Sequence, residues 1–172
     1  RVGHSFFLSR AQGSARLLTS NASNLFSPMK NEELKHFKKS EFGSWYPFLD
    51  KRLLSGLDQF RELLGAPVTV SPAPGAMGRT GDMSKHSQHY LNGGVVRAID
   101  VLIPEGVSLY RAYNVARKLE IFSGIGVYPD WSPSHGLHLD VRADRSVSDP
   151  ATWSGLNIAG TQVYRGLNEG FA

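Results

Sequence analysis

The sequence predicts an α+β fold: a small antiparallel sheet packed by helices, with a metal site on the sheet. Three observations lead there. Two segments carry apolar residues at helical spacing. Several short apolar runs bounded by Gly and Pro read as strands. Histidine and aspartate then recur within the strand-like runs, where alternation would gather them on one face.

Residues 1–31 are rich in Ser, Asn and Ala and read as an N-terminal arm, with residues 32–172 as the domain. The chain opens on Arg1 rather than Met, which leaves room for an upstream segment. Residues 1–30 lack the compact apolar core of a signal peptide.

"NEELKHFKKSEF" (31–42) reads as a helix, as does "LDKRLLSGLDQFRELLG" (49–65). In the latter, Leu53, Leu54, Leu57, Phe60, Leu63 and Leu64 form one stripe, and Gly65 supplies a stop. "APVTVSP" is a short strand with proline near its ends, followed by a Gly-rich loop, "APGAMGRTGDMSKHS". "VVRAIDVLI" reads as a buried strand. "SLYRAYNVARKLEIF" is the second clear helix, with Leu109, Ala112, Tyr113, Ala116 and Leu119 turned inward. "GIGVYP" and "GLHLDVR" are further strands, joined by "DWSPSH".

The composition, 41% hydrophobic and 20% charged, is that of an ordinary soluble globule, so function must come from a site. A chain of 172 residues is long enough for one domain with a real core. No apolar run reaches membrane-spanning length. The net charge of +4 favours anionic surfaces mildly, but no dense Lys/Arg block with interleaved aromatics marks a nucleic-acid binder. With no cysteine there is no disulfide, thiolate metal site or Cys nucleophile, so a metal must be held by His, Asp or Glu.

In "GLHLDVR", His138, Asp140 and Arg142 share one strand face, and Leu137, Leu139 and Val141 the other. Asp100 ends an apolar run, where an unpaired carboxylate would be costly to bury. His89 lies upstream on a loop able to fold back. His89, Asp100 and His138 thus emerge as candidate ligands. Two imidazoles and a carboxylate are a common catalytic zinc set that leaves a fourth position open. A metal held so acidifies bound water toward neutral pH and readies it to attack a carbonyl. Blander readings stand beside this one. Each histidine alone fits a surface or hydrogen-bonded core role, Asp100 fits a turn cap, and His138–Asp140–Arg142 fits a polar stripe on a half-exposed strand. His86 and His89 mimic a helical zinc pair, but the Gly-rich surroundings argue against a helix and against joint ligation.

"SQHYLNGGVVRAID" followed by "GIGVYPDWSPSHGLHLDVR" resembles the M15-type zinc peptidases of bacteria and their phages. These are the D-alanyl-D-alanine carboxypeptidases and peptidoglycan-cleaving endolysins, related in fold to the hedgehog signalling domain. Ser87, His89, Ala98 and Asp100 match the first part of the family pattern. Gly124, Gly126, Tyr128, His138, Asp140 and Arg142 match the second. The resemblance covers roughly residues 32–155, through Trp153 after the His strand. It implies Zn²⁺ held by His89, Asp100 and His138, and it places Arg79 where a substrate-binding arginine is expected.

Two departures matter. The family commonly separates its first His and Asp by six residues. Ten lie between His89 and Asp100, so "YLNGG" reads as a local insertion. Relatives also place a catalytic Glu, Asp or His two or three residues before the last ligand. Position 136 is Gly, so His135 is the residue available as general base. Asp140 is a second candidate, as base or as a partner orienting His138, and Asp130 is a third.

The resemblance implies a zinc-dependent metallopeptidase, a hydrolase cutting amide bonds of peptidoglycan stem peptides as carboxypeptidase or endopeptidase in cell wall degradation. It would act as a monomer in a bacterial periplasm or wall, or as a phage product on a host wall. The alternatives are a non-catalytic zinc-binding module that recognises a wall or protein partner, and a structural protein whose His/Asp cluster is incidental.

Overall fold

The structure, a computed structural model, describes residues 34–81 and 85–172. The arm expected over residues 1–31 lies outside the described residues. The elements are a 3-10 helix Lys39–Phe48, α1 (Lys51–Leu64), β1 (Thr69–Val70), β2 (Ala98–Leu102), α2 (Leu109–Lys118), β3 (Gly124–Tyr128), β4 (Gly136–Asp140), β5 (Ala151–Ile158), β6 (Thr161–Arg165) and a 3-10 turn Leu167–Phe171. The fold is α+β, as the sequence predicts. Among the described residues the sheet has six strands in the order β1-β2-β4-β3-β5-β6 and is mixed rather than wholly antiparallel, because β5 runs parallel to β3.

Helix α1 begins at Asp50, whose carboxylate accepts the Arg52 N–H, and ends at Gly65 in the left-handed conformation. Leu53, Leu54, Leu57, Phe60 and Leu64 are buried on its inner stripe. Leu63 is a correction to the predicted stripe: it is 56% exposed, at the edge of the stripe rather than within it. Ser108 caps α2 by accepting the Arg111 N–H, and Leu109, Ala112 and Ala116 are buried beneath it.

Both helices cover one face of the sheet. Ile99 and Val101 of β2, Ile125 and Val127 of β3 and Leu137 and Leu139 of β4 are all fully buried in one cluster with Leu57, Phe60 and Ala112. Burying each large apolar side chain stabilises the fold by roughly 1.5–3 kcal/mol. The alternate residues of the same strands face the other way. That second face carries the site.

The helix predicted over 31–42 is not continuous among its described residues. Lys35, His36 and Phe37 donate their backbone N–H groups to the Asp58 carboxylate of α1, which draws them out of helical geometry, and 3-10 structure begins at Lys39. This tertiary capture outweighs local propensity.

Candidate metal centre

β2 and β4 pair antiparallel with Asp100 directly opposite His138. The pleat turns both side chains to the face opposite α1 and α2. His138 Nδ1 lies 3.1 Å from Asp100 Oδ1, and His89 Nε2 lies 3.2 Å from the same oxygen and 2.9 Å from His138 Nδ1. His89 and His138 are buried, while Asp100 keeps 13% of its side chain exposed.

His89 arrives from the long loop between β1 and β2, and backbone bonds fix that loop to the sheet. Arg79 N–H donates to the His89 carbonyl at 2.8 Å, Leu91 N–H to Arg79 at 2.9 Å, Arg97 N–H to Gln88 at 3.0 Å and Asp100 N–H to Ala76 at 2.9 Å. The segment read as an insertion closes on itself. Asn92 and Val95 exchange backbone hydrogen bonds around Gly93 and Gly94, whose φ angles are +59° and +80°. Two successive positive φ values make a two-residue hairpin turn that glycine adopts without steric cost. The turn takes up part of the chain between His89 and Asp100, and the two side chains lie together.

The cluster can hold a metal ion. Nitrogen and oxygen ligands about 2.0–2.1 Å from a tetrahedral zinc stand about 3.3 Å from one another. Three ligand atoms 2.9–3.2 Å apart come close to that edge length. The surrounding hydrogen bonds fit as well. His138 turns its other nitrogen, Nε2, to Asp140 Oδ2 at 2.9 Å, which orients the ring and raises its basicity. Asp140 is fully buried and is held by the Arg142 backbone N–H at 3.1 Å and by the Arg142 guanidinium, with Nε 2.9 Å from Oδ1. His89 Nδ1 is buried without a hydrogen-bond partner among the described residues. Such an orphan costs roughly 1–3 kcal/mol.

The electrostatics follow from this packing. Burial alone would raise the Asp100 carboxyl, but hydrogen bonds from His138 and His89 outweigh it and bring it down to about 2. Burial opposes charge on His138, yet Asp100 and Asp140 raise it to about 9. For His89 burial prevails and pushes the imidazole down. Asp140 would be raised by burial, but His138 and Arg142 hold it well below the ordinary carboxylate range.

The cluster opens into a cavity of about 740 Å³, whose lining includes Arg79, His86, Tyr128, Trp131, Arg142 and Trp153. Glycines allow the aromatics to lie across the sheet. Gly126 sits between His138 on β4 and Trp153 on β5. A Cβ there would lie 2.6 Å from the Trp153 indole, so only glycine leaves the indole room beside the His138 ring, 5.1 Å away between centroids. Gly155 likewise makes way for the Tyr128 ring, which Trp131 covers from outside at 4.1 Å.

The structure brings His89, Asp100, His138, Asp140 and Arg79 to one side of the sheet. It does not bring His135 or Asp130 to the cluster. His135 directs Nε2 to the Val107 carbonyl at 2.9 Å, near the start of α2, and Asp130 accepts the Asn157 N–H at 2.7 Å. Neither lines the cavity, and the reason for His135 is strand parity. Positions 136, 138 and 140 face the cavity, so 135 shares the helix-side parity of Leu137 and Leu139. Asp140 is occupied by His138 and Arg142, which suits an orienting role rather than proton transfer. Trp131, Tyr164 and Gln162 line the cavity without having been singled out from the sequence. Gln162 and Tyr164 lie on β6, and the alternation of "TQVYR" was the available sign of that strand.

Comparison with protein-family models, curated proteins and solved structures finds no match for this chain.

Proposed function

We propose that the protein is a zinc-dependent hydrolase acting on amide bonds of peptidoglycan stem peptides. The observation that carries the reading is a three-ligand cluster facing a cavity. A structural zinc site is closed by four protein ligands, whereas a catalytic one leaves a position for water or substrate. The ligand set of two histidines and an aspartate favours zinc over harder ions. The substrate class rests on the motif resemblance and on the lining, which combines Arg79 and Arg142 with an aromatic wall suited to an anionic peptide.

When bound, zinc supplies a Lewis acid that polarises the scissile carbonyl and acidifies water. The chain supplies the rest. Asp140 holds the His138 ring so that Nδ1 is turned to Asp100 and His89. Arg79, whose Nε donates to the Gly75 carbonyl at 3.2 Å, is the candidate to hold substrate carboxylate or oxyanion. Among the described residues His86 is the remaining imidazole on the cavity wall, and we assign it the proton transfer first expected of His135.

Purified muropeptides incubated with the zinc-loaded protein, with and without chelator, test this reading. Chelator-sensitive cleavage identified by product mass is the expected result. Among the described residues the cavity wall carries one carboxylate, that of Asp100, which favours a second reading, a zinc module that recognises wall peptides without cutting them. Binding without product would select it.

A further inference from the structure

The Tyr128 hydroxyl accepts the indole Nε1–H of Trp153 at 2.9 Å. An indole N–H can only donate, so this bond fixes the phenol as acceptor there and its own proton must point elsewhere. Among the described residues no carboxylate or carbonyl takes that proton. The neighbouring polar group is the Tyr164 hydroxyl of β6, itself receiving the Gln162 side-chain amide at 2.8 Å. Two proton arrangements are then open. Each phenol oxygen already accepts one hydrogen bond from an amide or indole donor. If Tyr128 donates to Tyr164, the Tyr164 proton is left over, and if Tyr164 donates to Tyr128, the Tyr128 proton is. Either arrangement offers a hydroxyl donor to the cavity that all four side chains line.

The surroundings reinforce the surplus of donors. The Arg142 guanidinium lies 5.3 Å from the Trp153 ring centre. Trp131 and Gly155 clamp the Tyr128 ring, so the hydroxyl is held before any ligand arrives. Tyr128 is 5% exposed and Tyr164 60%, so the pair runs from the buried floor of the cavity to its rim.

Building on the hydrolase reading, we propose that Tyr128 and Tyr164 form a substrate subsite that donates a hydrogen bond to an acceptor oxygen of the peptide, either its terminal carboxylate or a backbone carbonyl. Trp153 sets the donor direction of Tyr128, and Tyr164 extends the site to the solvent edge.

The test titrates the zinc-loaded full chain with diacetyl-L-lysyl-D-alanyl-D-alanine and with its C-terminal amide. The Trp153 indole Nε1–H resonance reports binding, and product mass is followed on the same samples. In the wild type the resonance should move as its acceptor is polarised. The double variant, Tyr128→Phe with Tyr164→Phe, should weaken binding about tenfold, the range for one lost hydrogen bond. Either single variant should weaken it no more than about threefold, since the remaining hydroxyl keeps a proton to give. Zinc content should stay unchanged throughout. A further loss on amidation, present in wild type and absent in the double variant, assigns the oxygen to the carboxylate. Equal affinities for acid and amide assign it to a carbonyl. Cleavage with unaltered KM in the double variant overturns the subsite and leaves the hydrolase reading standing. Binding with the expected variant pattern but no product overturns hydrolysis and leaves the subsite standing. A wild-type protein that neither binds nor cuts the tripeptide overturns both.

Discussion

His138 and Asp140, two residues apart on β4, meet side by side, with Nε2 2.9 Å from Oδ2. The strand repeat puts both on the cavity face, and Arg142, two residues further, grips the carboxylate from behind. One stretch of strand thus provides a metal-ligand candidate, its orienting carboxylate and that carboxylate's counter-ion.

This relationship predicts the behaviour of Asp140→Asn. An amide cannot match the charge that holds His138, and it places a donor against Arg142. Zinc affinity should fall about 10–100-fold, with binding retained at high zinc. Competitive titration against a chromophoric chelator measures it, and an unchanged dissociation constant would remove Asp140 from the site.

The ligand assignment separates the two histidines of the "SKHSQH" stretch. His89→Ala, Asp100→Ala and His138→Ala should each lose most zinc, because each removes one of three converging atoms. His86→Ala should keep full zinc yet lower turnover about 10²–10⁴-fold, while His135→Ala should cut at near wild-type rate. Metal analysis and wall-peptide hydrolysis on the same preparations decide this. Stoichiometric zinc in His138→Ala would sink the ligand set, and a dead, zinc-loaded His135→Ala would return the base role to that residue.

The pH dependence of zinc binding follows from His138. In chelator-stripped protein its pKa, raised to about 9 by Asp100 and Asp140, means that zinc must displace a proton at neutral pH. Affinity should therefore rise about tenfold per pH unit between roughly pH 6.5 and 9 and level off above. Stability of the stripped protein should show the opposite trend. A folded-state pKa above the unfolded value contributes stability that is present below about pH 6.5 and lost as pH rises through about 9. At the acid end, the lowered Asp100 contributes stability above about pH 4 that is lost as pH falls through about 2. Zinc titrations and thermal melts across this range check both slopes, and a pH-independent zinc affinity would contradict the charged His138.

Asp100 and His138 were legible because strand alternation is a local rule, and the residues at 98–102 and 136–142 obey it, whereas His89 on its loop was legible from the motif. The same rule, carried one residue further back, turns His135 toward α2. The motif offset that nominated it takes no account of strand parity. The hairpin of β5 and β6 was not legible. Its pairing with β3 is parallel and non-local, and the burial along "ATWSGLNI" does not alternate cleanly. With that hairpin went Gln162 and Tyr164, and hence one wall of the cavity. Leu63 shows the opposite failure: an apolar residue beside a stripe is easily counted into it, though the helix turns it to solvent.

Gly126 is the position where fold and site are most tightly joined, and Gly126→Ala tests that link. Its Cβ would lie 2.6 Å from the Trp153 indole, closer than any side chain tolerates, so the indole must move. On one side it is bounded by the His138 ring, and its N–H is bound to Tyr128. Moving it strains the His89–Asp100–His138 cluster or breaks the Tyr128 bond. The expected cost is about 1–3 kcal/mol of stability, the usual range for overpacking, together with weaker zinc binding. If Trp153 is the cause, Gly126→Ala should cost much less in a Trp153→Ala background, where the Cβ meets no ring. The non-additive term in that double-mutant cycle isolates the contact. Thermal unfolding and zinc titration of the four proteins supply the measurements. Fully additive effects would show that the strain of Gly126→Ala is relieved elsewhere and that Trp153 does not press on the centre.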